Sequence, residues 1–285
     1  MPSDRESLLR AICERPEDDA PRLEYAKCLE ATGDPDDALR AEFIRVQFQS
    51  PGFDLPDDLW EELQRREKFL NTYRDRWADE LPKLDGIRWN PIDLPRGFVW
   101  DVWYDDAEAF QRHATRIFAS APIQSLSFMR LKSIRPVVEV PEFSRIRRLI
   151  LEDFQFRPVE SQTLAQSPHA ANLTALHLSG NRFADAGAKA IAASPFLRRM
   201  DNLDLGHNRI GDDGVAALAS SPVVATLTHL GLAGNLLTDV WAMALASSPH
   251  LNRLTGLTLW ECKKIGVKGK AKLKARFDDT VSFED

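Results

Sequence analysis

Apolar residues recur through the second half of the chain with a period of 27 positions. Leu173, Leu176 and Leu178 form a ladder of three that is repeated by Met200, Leu203 and Leu205, by Leu227, Leu230 and Leu232, and by Leu254, Leu257 and Leu259. Ile146, Leu149 and Leu151 extend it one period backwards. Three positions after each ladder stands Asn181, Asn208, Asn235 or Cys262, with Phe154 in the earliest copy. Within a ladder, apolar and polar positions alternate, which is the period of a strand buried on one face. A second half follows, with Ala190, Ala217 and Ala244 in one column and Ile191, Leu218 and Leu245 in the next, as a closely packed helix requires. Gly187 and Gly214 share a column that Trp241 occupies one period later. Ser167-Pro168, Ser194-Pro195, Ser221-Pro222 and Ser248-Pro249 also recur, and proline there stops the helix. Each unit is strand, loop and helix, and none can bury its own ladder without a neighbour.

Two degenerate copies precede these five. Val99, Val102 and Tyr104 fill a ladder with Ala107 in the Asn slot, and Ile123, Leu126 and Phe128 fill another with Leu131 in the slot. Seven units are therefore expected over residues 99–277. Residues 1–80 carry a helical pattern instead. Ser3-x-x-Glu6 reads as a capping box before Leu8, Leu9 and Ile12. A second helix is expected from about Pro21, with Leu23, Tyr25, Ala26 and Leu29, ending at Gly33. A third runs from about Asp36 through Ala41, Ile44 and Phe48 to a stop at Ser50, Pro51 and Gly52. A fourth, expected to be the longest of them, opens after Pro56 and carries Leu59, Leu63, Leu70, Tyr73 and Trp77. Residues 81–98, rich in Gly, Pro and aromatics, read as a junction, and residues 278–285 as an acidic tail.

Composition adds limits. The 285 residues are 44% hydrophobic and 28% charged, which is ordinary for a globular protein. No apolar run approaches the roughly 18 residues of a membrane span, and the first twenty residues are charged throughout. A cytoplasmic location is expected, and three scattered cysteines, Cys13, Cys28 and Cys262, suit free thiols. The net charge of −6 is uneven: residues 1–80 hold 12 basic and 21 acidic residues, a balance of −9, and the rest 25 against 22, or +3. Lys263, Lys264, Lys268, Lys270, Lys272, Lys274 and Arg276 cluster near the end, but a nucleic-acid interface would need a larger basic face, so a solvated helix is the preferred reading.

Two segments resemble known families. RIGDDGVAALASSP and its equivalents one period away resemble the ribonuclease-inhibitor class of leucine-rich repeat, over roughly residues 99–277. LLRAICERPEDDAPRLEYAKCLEATGD followed by RAEFIRVQFQ resembles the repeat-companion domain that precedes such repeats in planctomycete and related bacterial proteins. That family shows Tyr-Ala-Asp-Trp-Leu-Glu where this chain has Tyr25-Ala26-Lys27-Cys28-Leu29-Glu30. The resemblance implies an α/β leucine-rich-repeat solenoid, a horseshoe with a parallel concave sheet and convex helices, behind a small all-α module over residues 1–80. It also implies that Asn181, Asn208 and Asn235 point inward to satisfy backbone groups of each turn, with Cys262 a weaker substitute and Phe154 none. Those two units are expected to be distorted.

Residues at six, four and two positions before the slot face the concave side. They include Asp101, Trp103 and Asp105, Arg148 and Glu152, His177, Asn202 and Asp204, His229, and Trp260. Trp and Arg are favoured interface anchors, although Trp103 and Trp260 on terminal strands also suit packing under a cap. His177, His207 and His229 sit at different offsets, so no metal or acid–base site is expected from them. No cofactor motif occurs. The expected function is non-catalytic recognition of a protein partner on the concave face, as scaffold or adaptor, by a chain that is a monomer when free. The competing readings are an activity in the helical module, around Tyr25, Glu24 and Arg45, and weak nucleic-acid binding through the basic C-terminal helix.

Overall fold

Leu8, Leu9 and Ile12 give helix α1 (Asp4–Glu14) one apolar side, and the side chains of α2 (Ala20–Glu30) and α3 (Pro35–Gln49) close over it. Ile12, Tyr25, Ala26, Leu29, Ala41, Ile44 and Phe98 form this core. The computed structural model describes residues 4–49, 57–92 and 94–283. Ser3 of the expected capping box, Ser50, Pro51, Gly52 and Pro56 at the following turn, and Glu284 and Asp285 of the tail lie outside the described residues. The expected long fourth helix is α4 (Asp57–Leu70), a 3-10 turn at Asn71–Tyr73 and a short α5 (Arg74–Asp79). With 14 residues α4 is shorter than α3, with 15. The turn alters the spacing of the apolar stripe, and Trp77 then packs on Phe43 with ring centroids 5.0 Å apart. The segment read as a junction holds a strand, β1 (Ile87–Asn90), paired antiparallel with β2 (Asp101–Tyr104), so that Arg88 lies opposite Trp103 and Asn90 opposite Asp101.

By its contacts the chain divides into two units, Met1–Tyr104 with Arg112–Ser125, and Asp105–Gln111 with Leu126–Asp285. After α6 (Ala107–Ser120), β3 (Ser125–Phe128) and a one-turn α7 (Arg135–Val138), the second unit alternates strand and helix: β4 (Arg148–Ile150), α8 (Pro158–Ala165), β5 (Ala175–His177), α9 (Ala184–Ala192), β6 (Asn202–Asp204), α10 (Asp212–Ala219), β7 (His229–Gly231), α11 (Asp239–Ala246), β8 (Gly256–Thr258) and α12 (Val267–Phe277). Strands β4 to β8 pair in parallel and in chain order, with Leu149, Leu176, Leu203, Leu230 and Leu257 directly opposite one another and all buried. This dry row is what the 27-residue period predicts. The expected acidic tail contains a further strand, β9 (Val281–Ser282), parallel to β8, with Val281 buried against Leu257.

Three polar columns join consecutive coils, and they explain how short strands and helices are held. The amide of Asn181 donates to the carbonyls of Leu151 and Leu178, while its oxygen accepts from the N–H of Phe156 in the coil before. Asn208 reaches Leu178 and Gly206, and Asn235 reaches Leu205 and Leu232 and accepts from Ile210. Each Asn thus serves the preceding turn as well as its own. The Phe154 unit lacks an Asn but is served by Asn181; Phe154 itself stays half-buried and stacks on Phe156 at 5.3 Å. Cys262 is buried, its thiol 3.4 Å from the Leu232 carbonyl, and β8 keeps full register with β7, so that unit is not distorted as expected.

The second column is Asp185, Asp212 and Asp239, one period apart in the first turns of α9, α10 and α11. Asp185 accepts from the N–H groups of Gly211 and Gly214, and Asp239 from those of Gly266 and Gly269, capping the start of the following helix. A Cβ on Gly214 or Gly269 would lie 2.7 or 2.4 Å from that carboxylate, so the glycine column is a docking space for it. Trp241 breaks the column, and there Thr238 substitutes: its hydroxyl accepts from Val240 N–H and donates to Asp212. The third column is Ser167, Ser194, Ser221 and Ser248, each hydroxyl donating to a carbonyl of the preceding coil, at Val138, Ala165, Ala192 and Ala219. The helices end two or more residues before these Ser-Pro pairs, at Ala165, Ala192, Ala219 and Ala246, so serine ties coils together and proline opens the next turn.

Candidate recognition surface

Strand alternation places the residues between the leucines on the opposite, concave face, where they stand in rows across β4 to β8. Arg148 lies beside Ala175, Asn202, His229 and Gly256; Ile150 lies beside His177, Asp204, Gly231 and Thr258. Of the expected contacts, Arg148, His177, Asn202 and Asp204 are half-buried, and Glu152, His229 and Trp260 are exposed. Trp260 is 45% exposed, and its indole N–H donates to Ser282 of β9 at 2.8 Å, so one end of the ring is fixed while its face stays open. His229 has its Nδ1 3.0 Å from the Thr228 hydroxyl.

In the first unit, Trp103 is 38% exposed and donates to Asp101 at 3.2 Å. Asp101, expected to be open on the concave face, is instead buried at 7% exposure, and the same carboxylate oxygen accepts from Asn90 at 2.6 Å. The cause is β1, which the sequence pattern did not reveal and which covers that side of β2. Asp105, in the second unit, is half-buried, with its carbonyl accepting from Arg130 N–H.

The rows bring together a cluster that the strand offsets did not suggest. Glu152, just after β4, His177 on β5 and Asp204 on β6 come from three adjacent strands, each offering one nitrogen or oxygen atom within 4.8 Å of the others. His177 Nδ1 is 3.9 Å from Glu152 Oε1, and the His177 imidazole makes no hydrogen bond among the described residues, while its backbone carbonyl accepts from Leu151 N–H. Asp204 accepts from Gly206 N–H at 2.9 Å, which fixes its carboxylate. A Cβ on Gly231 would lie 2.5 Å from that carboxylate, so glycine at this position leaves it room. Partial burial, with Asp204 and Asp153 nearby, pushes the Glu152 carboxyl up, against the pull of Arg148. Burial and then the Arg148 guanidinium hold His177 below its ordinary value, opposed by Asp204. The imidazole therefore favours its neutral form. His177 and Asp204 occupy the same offset before their Asn slots and pair across β5 and β6; Glu152, at a different offset, joins them only through the fold.

A pocket of ≈ 480 Å³ lies in the first unit, lined by Arg5, Tyr25, Arg40, Trp77, Glu80 and Phe98 among others. Its charges pair internally: Arg40 donates to Glu80 at 2.7 Å, and Arg5 to Tyr25 at 3.1 Å and to Asp37 at 3.3 Å. Among the described residues its wall holds no histidine, cysteine or lysine, and the Ser120 hydroxyl donates to the Arg116 carbonyl. Glu24 and Arg45, expected beside Tyr25, do not line it; they pair at the surface with Lys27 and Glu30. Cys13 is buried with its thiol 3.7 Å from the Ala119 carbonyl, and all three cysteines are thiols outside any disulfide.

These features define the second unit as a leucine-rich-repeat solenoid, with Arg148, His177, Asn202, Asp204 and His229 in rows along its sheet. Residues 169–192 and 202–219 match the family model described as Leucine Rich repeat. No curated protein matches the chain. Among solved structures, an internalin from Listeria monocytogenes is similar, with 20% identity and a TM-score of 0.37 over 57% of this chain and 42% of that one. The chain thus spans less than half the length of that internalin chain. Among the described residues no helix is long and apolar enough to cross a membrane.

Proposed function

We propose that the protein is a non-catalytic recognition scaffold that holds a protein partner on the concave sheet of its repeats. The observation that carries this reading is the arrangement of that sheet. Arg148, His177, Asn202, Asp204 and His229 stand in register over a dry leucine row, so the groups are held by rigid strands and presented as one patch. Stacked repeats create extended binding surfaces of this kind. Trp260 at one end supplies an aromatic anchor whose face is open. The paired charges of the first-unit pocket, with its only serine engaged by a carbonyl, favour this reading over an activity in the helical module. In the same proposal the repeats are of the ribonuclease-inhibitor-like class, residues 1–80 are a repeat-companion module that caps the solenoid over residues 99–277, and the protein works in a bacterial cytoplasm as an adaptor.

The test is a pull-down from native lysate with the wild-type chain, an Arg148→Ala, His229→Ala double variant and a convex-side control, Met243→Ala. A partner retained by wild type and control and lost by the double variant supports the concave patch. An identical partner set for all three refutes it.

A further inference from the structure

Glu152, His177 and Asp204 carry a chemistry that the recognition reading does not use. Their donor atoms come from side chains on β5, on β6 and just past the end of β4, and lie within 4.8 Å of one another. Donors bound to one zinc-type ion sit about 2.0 to 2.2 Å from it, so closing this set needs side-chain shifts of roughly 1 Å. The Glu152 side chain is 45% exposed and free to swing, whereas His177, at 19%, and Asp204, tied to Gly206 N–H, are already placed. A backbone N–H holding a ligating carboxylate is the outer-shell support that such sites use. His177 has neither a hydrogen-bond donor nor an acceptor among the described residues to compete for its ring nitrogens.

Charge supports the same occupant. Glu152, Asp153 and Asp204 face one guanidinium, that of Arg148, which leaves a local balance of two negative charges. A divalent cation neutralises that balance and removes the repulsion between Glu152 and Asp204. The nitrogen donor narrows the class: imidazole suits zinc, cobalt, nickel or iron, whereas calcium and magnesium prefer all-oxygen sets.

We propose that Glu152, His177 and Asp204 form a binding site for one divalent first-row transition-metal ion on the concave face. Three protein donors leave at least one coordination position open. The small side chains nearby, Ser179, Gly206 and Gly231, leave space around it. The site stands independently of whether a protein partner occupies the rest of the sheet.

The test is equilibrium dialysis of the untagged full-length chain against Co2+ and, separately, Zn2+, with the visible absorption of bound Co2+ as a second readout. The variants are Glu152→Gln, His177→Ala and Asp204→Asn, with Cys262→Ser as a control away from the cluster. One ion per wild-type chain is expected, together with an affinity loss of about tenfold or more in each cluster variant, since even outer-shell changes cost that much. The control should bind as wild type does. Glu152→Gln is isosteric at an exposed position, so its folding, checked by circular dichroism, is preserved and its result stands even if the other two variants unfold. Absence of a bound ion on the wild type, or equal binding by wild type and Glu152→Gln, overturns the site.

Discussion

The position just before the Asn slot carries a demand that its residue types conceal. Asp153, Gly180, His207, Gly234 and Glu261 are one period apart, and all five have φ between 51° and 72°. Only glycine adopts this left-handed conformation without penalty, so three of the five turns are strained. The alternation has a packing reason: a Cβ on Gly180 would lie 1.9 Å from the Asp153 carboxylate, and one on Gly234 would lie 2.2 Å from the His207 ring. Each large side chain occupies the space that the next coil's glycine leaves empty. Gly234→Ala is therefore expected to lower unfolding free energy by about 1–2 kcal/mol through the backbone, plus the cost of the clash with the His207 ring, and only the backbone part should remain when His207→Gly is added. Urea denaturation of the four members of that cycle measures the coupling. Asn208→Ala, which removes a buried amide serving the carbonyls of Leu178 and Gly206, is expected to cost about 2–4 kcal/mol by the same measurement. Burial raises the thiol of Cys262, so its thiolate is scarcer than that of an ordinary cysteine. At pH 8 the half-buried Cys28 is expected to be alkylated first in the folded protein, and Cys262 only after denaturant is added, as peptide mass mapping will show.

Among elements, the helices of the repeats depend on their neighbours more than on their own sequences. They are eight to eleven residues long, below the length at which isolated helices persist. Their first turns are satisfied from the coil before, by Asp185, Asp212 and Asp239. Asp239→Ala strips the cap from α12, leaving the N–H groups of Gly266 and Gly269 without that acceptor. A loss of about 1–2 kcal/mol is expected, and hydrogen exchange should show faster amides at the start of α12 while α9 is unchanged. Equal protection in both helices would count against the cross-coil cap. The aspartate column was present in the sequence at the same 27-residue spacing as the asparagines. It is easy to pass over because acidic residues in a first helical turn already have a sufficient local explanation in the helix dipole.

At the scale of the molecule, stacking makes each coil's stability a property of the pair it belongs to. Leu203 sits midway along the leucine row, buried between Leu176 and Leu230. Leu203→Ala is expected to cost about 3–4 kcal/mol, and to accelerate hydrogen exchange across β5, β6 and β7 together, because nearest-neighbour interfaces carry the stability. Exchange confined to β6 would mean that the coils open independently. The ladder spacing alone determined strand positions, the buried row, the concave row and the Asn column, since a strict period leaves one stacking solution that keeps every leucine dry. It did not determine β1 or β9, which lie outside the period, or the burial of Asp101, which β1 imposes. Nor did it determine the meeting of Glu152 with His177 and Asp204. Sequence fixes which face a side chain takes within its own strand; that Glu152, two positions out of step with the paired His177 and Asp204, comes within reach of both depends on the register and side-chain reach of neighbouring strands, and only the folded sheet decides that.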